Sequence, residues 1–486
     1  MLLSESIQPR EQRYPEKVLQ FGTGVLLRGL CDYLIDKANK KGIFNGSIVV
    51  VKSTGGGVSE FAAQDNLYTC CIRGYENGEL IEENAVVSAI SRVISARENW
   101  SKILETAANP EMQIVISNTT EVGLQYIPES LTEGVVPESF PGKLTAWLQR
   151  RFAEGLSGVV IVPTELIVDN GQVLKALVLR HIEENRLSDS FRQWVETENK
   201  FCSSLVDRIV PGKPGKEELG TLFGQLGYED HLLLKAEAYR LWAIEGGENV
   251  KEILSFHEAD AGVVIDKSID QYRELKLRML NAPHTLMSGL CFLSGFSTVK
   301  EALNDSLMEK FITILMLTEL APALPENIDP KVVQRYGREI IDRFRNPYLD
   351  HHWLSITFQY TMKMKMRTIP LLLNYYETFG TVPHYFSRGV AAYIFFMKAI
   401  EVKDGIYYGV FDGKTYAIND DQAEWFYEVW QSQNSNEVVN RVLTNEEFWD
   451  LDLTHLAGFE ESVATHLSNM MMVGVKEVAS ALNVYA

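Results

Sequence analysis

The stretch that most constrains this chain is the apolar run VLQF at 18–21, which ends in Gly22-Thr23-Gly24 and passes into Leu26, Leu27, Leu30, Leu34 and Ile35 at helical recurrence. A strand, a glycine turn and a helix in that order allow backbone N–H groups and a helix N-terminus to hold a pyrophosphate, as at the edge of a doubly wound parallel sheet. The usual third glycine is replaced by Leu27, so the motif alone leaves a purely structural turn as the alternative.

Further buried-strand patterns follow at 48–51, 114–116 and 159–162, and a Rossmann-like α/β domain is expected over 1–267. The second strand ends in Lys52-Ser53 and runs into Gly55-Gly56-Gly57, where an acid for the adenosine ribose is usual. Lys52 therefore suits either a 2′-phosphate or plain solvent. Strand-like 67–72 with Glu76-Asn77-Gly78 reads as a hairpin inserted in this domain. Ser117-Asn118-Thr119-Thr120-Glu121 is a polar exit from a strand, which makes Asn118 and Thr119 candidate cofactor contacts or turn formers. Asp169-Asn170-Gly171 opens an amphipathic helix through Leu174, Leu177, Val178 and Ile182. From about Ile269 the texture becomes helical, with segments at 268–293, 299–317, 332–344 and 353–376, so a mainly helical second domain is expected over 268–486. Within it Asp412-Gly413 reads as a hairpin turn, and Asn419-Asp420-Asp421 as a helix cap. A chain of 486 residues is long for one core, in keeping with two domains.

The chemistry concentrates in ELKLRMLNAPHTLMS at 274–288. On an α-helix Lys276, Asn281 and His284 fall at roughly 0°, 140° and 80° around the axis, on one face. Leu275, Leu277, Met279 and Leu280 suit packing between them. Such an apolar wall would draw the lysine from ~10.4 toward the ~7–8 that serves proton transfer. An amide and an imidazole can both donate to an oxygen on which charge develops, so the trio fits carbonyl reduction or alcohol oxidation. The competing reading is an amphipathic helix with a surface lysine, a capping asparagine and a core histidine. Pro283 removes a donor and disfavours a helical Ala282, so a kink or a fresh start is expected there.

The Lys-x4-Asn-x2-His spacing resembles the signature of the mannitol dehydrogenase family, the long-chain polyol and sugar-acid dehydrogenases. QFGTGVLLR at 20–28, SNTTEVG at 117–123, FCSSLVDRIVP at 201–211 and RFRNP at 343–347 agree in order, so the resemblance covers nearly the whole chain. PTELIVDNG at 163–171 and RFRNPYLDH at 343–351 look most like its uronate branch, whose members interconvert a hexonate and a keto-uronate. The resemblance implies NAD as cofactor, bound at Leu19, Gln20, Phe21, Gly22, Thr23, Gly24, Val25, Leu26, Leu27 and Arg28 and near Asn118 and Thr119. It implies Lys276 as acid/base, Asn281 as stabiliser of the alkoxide and His284 as positioner of the reacting oxygen. Ser203 stands where the mannitol branch carries an asparagine of the oxyanion hole; its shorter hydroxyl can still donate once to substrate. Arg343 and Arg345, with Lys363, Lys365 and Arg367 downstream, form the richest basic cluster, and arginine's planar fork suits a carboxylate. Lys363, Lys365 and Arg367 can equally decorate a helix face.

A formal charge of −19 and a pI near 5.0 argue against general nucleic-acid binding. No apolar run approaches the ~18 residues of a membrane helix, and the start MLLSESIQPR lacks signal-peptide order, so a cytoplasmic enzyme acting on a small sugar acid is expected. Five cysteines without Cys-x-x-Cys spacing argue against a disulfide framework or structural zinc, and adjacent His351-His352 point to different sides of any regular element, so no metal is expected. The mannonate and fructuronate pair or an uncharged hexitol as substrate, and a nucleotide-sensing protein without turnover, are the rival readings. Binding alone has no use for a desolvated lysine.

Overall fold

The computed structural model describes residues 1–6, 14–53, 55, 58–119, 123–132, 134–432 and 434–481. The chain divides into two compact units: unit 1 comprises Met1–Arg73 and Leu80–Ile269, and unit 2 comprises Gly74–Glu79 and Asp270–Ala486.

Unit 1 is built on β1 (Glu16–Phe21), β2 (Ser47–Lys52), β3 (Tyr68–Glu76), β4 (Glu79–Val87), β5 (Ile90–Ser95), β6 (Ile114–Ser117), β7 (Val160–Pro163) and β8 (Lys200–Phe201), followed by β9 (Ser204–Asp207), β10 (Leu234–Glu237), β11 (Leu241–Glu245) and β12 (Val263–Asp266). Six of them form one sheet in the order β5-β2-β1-β6-β7-β8, with every neighbouring pair parallel. Leaving out the β3–β4 hairpin, this is the dinucleotide-binding order, whose strand sequence reverses between β1 and β6. Near-continuous apolar strands require cover on both faces, and alternation supplies it. Val18, Ile48, Val50, Ile114, Ile116, Val160 and Val162 enter one core with Leu34, Ile35 and Ala38 of the helix Tyr33–Lys40. Leu19, Phe21, Val49, Val51, Val115 and Ile161 enter the other, with Leu144, Trp147 and Leu148 of the helix Phe140–Ala153 and Leu174, Val178 and Ile182 of the helix Asn170–Glu184.

The expected hairpin is present, although its tip Gly74–Glu79 is grouped with unit 2; Asn77 and Gly78 both lie at positive φ (55° and 80°), the pair that lets a two-residue turn follow the strand twist. It joins a second sheet, β10-β3-β4, and β12-β11-β9 makes a third. Neither small sheet beyond the hairpin is marked by period-two alternation in the sequence. Four cysteines of unit 1, Cys31, Cys70, Cys71 and Cys202, and Cys291 of unit 2 are all buried free thiols. Burial pushes the Cys31 and Cys291 thiols well above the ordinary range.

Unit 2 is mainly helical. The expected segment at 299–317 is divided at Asp305, whose carboxylate accepts from the Leu307 and Met308 amides and starts a new helix, Ser306–Ile314. The segment at 353–376 is divided at Gln359, which adopts φ 52° between the helices Trp353–Ile356 and Tyr360–Phe379. Asp420 caps two starts at once, taking the Gln422 amide at 2.9 Å and the Thr361 amide at 2.7 Å. The three strands β13 (Glu401–Lys403), β14 (Ile406–Phe411) and β15 (Lys414–Ile418) form the expected hairpin sheet, with Asp412 and Gly413 at φ 48° and 72°. At the centre lies the helix Ala282–Leu293, buried along nearly its whole length. It runs close to the helix His384–Phe396, because Gly389 leaves room for Leu286: a Cβ there would sit 2.5 Å from Leu286 Cγ. Among the described residues no helix is long and apolar enough to cross a membrane, and no group of three metal-ligating side chains is gathered.

Candidate active site

In unit 1 the chain leaves β1 at the point where the strand order reverses. The Gly22 amide donates to Val51 O at 3.0 Å and the Asn118 amide to Phe21 O at 3.2 Å, so the turn is stitched to strands on either side. Gly22 has φ 128°, and a Cβ there would lie 2.9 Å from Leu27 Cδ1 and 3.0 Å from Asn118 O. Leu27 therefore occupies, as a buried side chain, the contact a third glycine would have left open. Gly24 differs: it is exposed, and a Cβ on it would meet nothing within 4 Å. It precedes a helical run, Val25–Leu27, Arg28–Asp32 and Tyr33–Lys40, whose first N–H groups lack partners within the helix. Open space before such N–H groups fits the pyrophosphate of a dinucleotide.

Several residues expected to touch cofactor build the turn itself. Leu19 and Phe21 are core side chains, and Phe21 packs on Phe140 with ring centroids 5.0 Å apart. Buried Gln20 donates to Gly22 O at 3.3 Å and Asp32 Oδ2 at 3.4 Å. Arg28 is buried, donating to Thr23 O at 3.3 Å and to Leu232 O at 2.6 Å, which leaves its guanidinium bracing the turn. Burial pushes the Asp32 carboxyl up to about 7, against the pull of Arg28 and of the hydrogen bonds from Gln20 and Tyr68. Thr23, Val25 and Leu26 are half-buried and Gly24 exposed, the part of the turn open to a ligand.

Asn118 donates to Thr164 O at 3.1 Å and Thr164 Oγ1 at 3.0 Å. The Thr119 amide donates to Glu165 at 2.8 Å and its hydroxyl at 3.1 Å. Both carry turn duty at the ends of β6 and β7, with their outer surfaces half-buried. Thr120, Glu121, Thr54, Gly56 and Gly57 lie outside the described residues. Lys52 stands half-buried at the end of β2. Ser203 departs from expectation: it is 0% exposed and its hydroxyl has no partner among the described residues. The backbone there is packed so tightly on Gly171 that a Cβ on the glycine would lie 2.5 Å from Ser203 N.

In unit 2 the signature does not follow α-helical geometry. Lys276–Asn281 is a π-helical turn between the helices Asp270–Leu275 and Ala282–Leu293, and the Ala282 amide reaches back five residues to Leu277 O. Pro283 has no N–H to return to Met279 O, and its ring crowds that carbonyl. The wider turn accommodates both effects, so the expected kink takes the form of a π insertion in continuous helical structure. Five-residue bonding also brings residues five apart closer to alignment than an α-helix does, so Lys276 and Asn281 draw together. Leu275, Met279 and Leu280 are buried as expected, whereas Leu277, Lys276 and Asn281 are half-buried. The apolar wall closes on one side of the lysine rather than around it.

His284 is buried, with Phe344 tilted against its ring at 4.1 Å and the edge of His351 at 5.1 Å. Its Nε2 has no partner among the described residues. Burial first, then the His351, Arg343 and Arg367 charges, hold His284 well below the usual histidine range, so it is neutral. His351 is also lowered, by burial and by His352 and Arg343. Arg343 is buried in this group. Arg345, two residues on, is not: it pairs with Glu309 and lies 3.5 Å from Asp342. Arg367 takes its place beside the signature, donating to Thr285 Oγ1 at 3.0 Å. Lys365 points away to Asp450 at 2.7 Å, and Lys363 donates to Ile356 O at 3.0 Å. Sequence reasoning placed Arg367 only in a basic cluster and weighed His351 only as a metal ligand. The signal for both is proximity in the fold.

Two family descriptions match the chain, "Mannitol dehydrogenase Rossmann domain" over residues 16–256 and "Mannitol dehydrogenase C-terminal domain" over 268–471. The chain is 36% identical to an altronate oxidoreductase of Halalkalibacterium halodurans, covering 98% of this chain and 95% of that protein. It is 33% identical to that of Bacillus subtilis over 98% and 96% of the two chains. Among solved structures, a D-sorbitol dehydrogenase in substrate-free form superposes with a TM-score of 0.77 at 20% identity, covering 96% of this chain and 95% of the other. A Pseudomonas fluorescens mannitol 2-dehydrogenase, solved with NAD and D-mannitol, gives 0.62 at 22% identity, covering 96% and 94%.

Two outcomes are expected at the glycine turn. Because a side chain at Gly24 meets only open space, Gly24→Val should fold normally yet raise the dissociation constant for the dinucleotide at least ~10-fold by calorimetry, since the branch occupies the approach of the pyrophosphate. Unchanged affinity would make the turn purely structural. Asp32 has a folded value near 7, above the ~3.9 of an unfolded aspartate, so the folded state binds the extra proton. Stability from this group is fully present below about pH 4 and is lost as pH rises through about 7. Asp32→Asn should accordingly raise the melting temperature at pH 8 more than at pH 5, and equal shifts at both pH values would refute the assignment.

Proposed function

Given that the chain belongs to the mannitol dehydrogenase family, and is therefore an oxidoreductase acting on a CH–OH group with a nicotinamide cofactor, we propose that it interconverts D-altronate and D-tagaturonate using NAD. The observation that carries this reading is the gathering of Arg343 and Arg367 around neutral His284 on the signature helix, supported by relatives named altronate oxidoreductase at 33–36% identity. The half-buried Lys276 takes the hydroxyl proton as the alcohol is oxidised and returns it to the carbonyl oxygen on reduction. Substrate closes the open side of its apolar wall and completes the desolvation a proton carrier needs. Asn281, drawn toward the lysine by the π turn, donates to the oxygen as charge builds on it. His284 carries one ring proton when neutral, and its unpartnered Nε2 gains a partner in the same oxygen. A bound nicotinamide would supply the hydride acceptor or donor, with the Gly22-Thr23-Gly24 turn holding its pyrophosphate. Arg343 and Arg367 hold the carboxylate, which an otherwise acidic protein must neutralise locally. NAD rather than NADP follows the resemblance, with Lys52 where a ribose-binding acid is usual.

The test is an absorbance assay at the nicotinamide band with NAD and NADP and a panel of hexonates, keto-uronates and hexitols. Lys276→Ala should lower turnover by ~10²-fold or more with cofactor affinity near wild type, the range for losing a general acid/base. Turnover within a few-fold of wild type would end the lysine's role.

Substrate charge provides the sharper discrimination. Specificity constants for the uronate should exceed those for the matching ketohexose by at least ~10²-fold, at ~1.5–3 kcal/mol for each of two charged hydrogen bonds. Arg343→Met should erase much of that gap, whereas Arg345→Met, which breaks only pairs with Glu309 and Asp342, should leave it standing. A wild-type preference for fructose or mannitol over every uronate would move the substrate to the uncharged hexitols.

A further inference from the structure

The helix Tyr360–Phe379 carries Pro370 in its interior. An interior proline has no N–H, so the carbonyl four residues earlier, that of Met366, loses its helical donor. The neighbouring carbonyl belongs to Arg367, whose guanidinium bonds Thr285 on the signature helix and helps keep His284 neutral. Both carbonyls receive a donor from outside the helix: Arg278 Nη1 lies 2.8 Å from Met366 O and 2.9 Å from Arg367 O. Arg278 is itself fixed by Glu274, which accepts from its Nε at 3.1 Å, and its side chain is only 12% exposed. It projects from within the π turn that carries Lys276 and Asn281.

We propose that Arg278 is a positioning residue: it supplies the hydrogen bond that Pro370 cannot, and so ties the Arg367 segment to the turn that carries the proton-transferring lysine. Water could satisfy the Met366 carbonyl chemically. Only a side chain rooted in the neighbouring helix fixes that carbonyl, and the Arg367 side chain one residue on, relative to Lys276. A single guanidinium nitrogen shared by two successive carbonyls leaves that segment little freedom to rotate about the helix axis, which is the motion that would swing Arg367 away from Thr285. The inference rests on the reading above only in taking Arg367 as a contact for the substrate's carboxylate.

The geometry provides its own control, because Pro370→Ala restores the missing amide and makes Arg278 dispensable as a donor. Arg278→Met should raise KM for the sugar acid ~10-fold or more with a smaller change in kcat, as for loss of a placed binding group. Pro370→Ala alone should stay near wild type. Its new amide satisfies Met366 O but ties it to nothing in the neighbouring helix, so the double variant should regain melting temperature while keeping most of the KM defect of Arg278→Met, a separation that a double-mutant cycle on the two readouts measures directly. A double variant with wild-type KM would overturn the proposal, because a donor within the helix would then suffice without any tie to the π turn, as would an Arg278→Met enzyme with wild-type KM. If Arg278→Met does not fold, Arg278→Gln with and without Pro370→Ala makes the same comparison. Were the wild type to use only uncharged hexitols, the carboxylate assignment would fail by itself. The cycle, run with a hexitol, would still judge Arg278 through the bond from Arg367 to Thr285.

Discussion

A proline within a helix withdraws one N–H and crowds the carbonyl four residues back, at a cost of ~3 kcal/mol or more unless the backbone adapts, and the candidate site of unit 2 is arranged around two of them. At Pro283 the backbone adapts by widening into the π turn Lys276–Asn281. At Pro370 it keeps its α-helical course and borrows a guanidinium from that same turn. A third instance repeats the first, since the π turn Leu315–Leu320 is followed by Ala321 and Pro322, and the Ala321 amide reaches back to Met316 O. In both π cases the sequence reads Ala-Pro directly after the turn. The polar residue at or next to the turn's end is turned to use: Asn281 in one, Glu319 in the other, whose carboxylate accepts the Tyr385 and Phe386 amides at 2.9 and 2.7 Å.

Electrostatics then sort the cations. In a chain of net charge −19 several basic side chains of unit 2 take a carboxylate: Arg345 takes Glu309 and Asp342, Lys365 takes Asp450, and Arg278 takes Glu274. Arg343 and Arg367 lie where their fields fall on His284, and the imidazole responds by staying neutral. A neutral ring with one proton is a hydrogen-bonding group, whereas a charged one beside two arginines would be strongly disfavoured. Burial and neighbouring cations act here in the same direction, both favouring the neutral ring.

Much of this was legible in the chain. The apolar runs of β1, β2, β6 and β7 gave the parallel sheet because a strand buried on both faces has no polar alternation to confuse with a helix, and Asn77-Gly78 and Asp412-Gly413 announced their hairpins through the positive φ that few other pairs adopt. Lys276, Asn281 and His284 could be placed on one face, but not the π turn that draws the first two together, because spacing rules presume 3.6 residues per turn. The strands from β9 to β12 were not marked, since their pairing in two small sheets is set by tertiary contacts rather than by a run of apolar residues ending in a glycine or polar turn. Arg343 could not be told from Arg345 by sequence, since both satisfy the same fork chemistry; the difference lies chiefly in Glu309, which only folding brings near Arg345. Ser203 was readable as a hydroxyl but not as an enclosed one, a fact set by the close approach of Gly171.

The five buried thiols make the protein its own reporter of opening. A thiolate must meet reagent to be alkylated, and burial both hides these sulfurs and suppresses their ionisation. Labelling in the native state therefore proceeds only through transient exposure, and its rate measures the free energy of that exposure. Because Cys31, Cys70, Cys71 and Cys202 belong to unit 1 and Cys291 sits on the signature helix of unit 2, peptide-resolved alkylation kinetics would time the breathing of each unit separately, with no probe added to either.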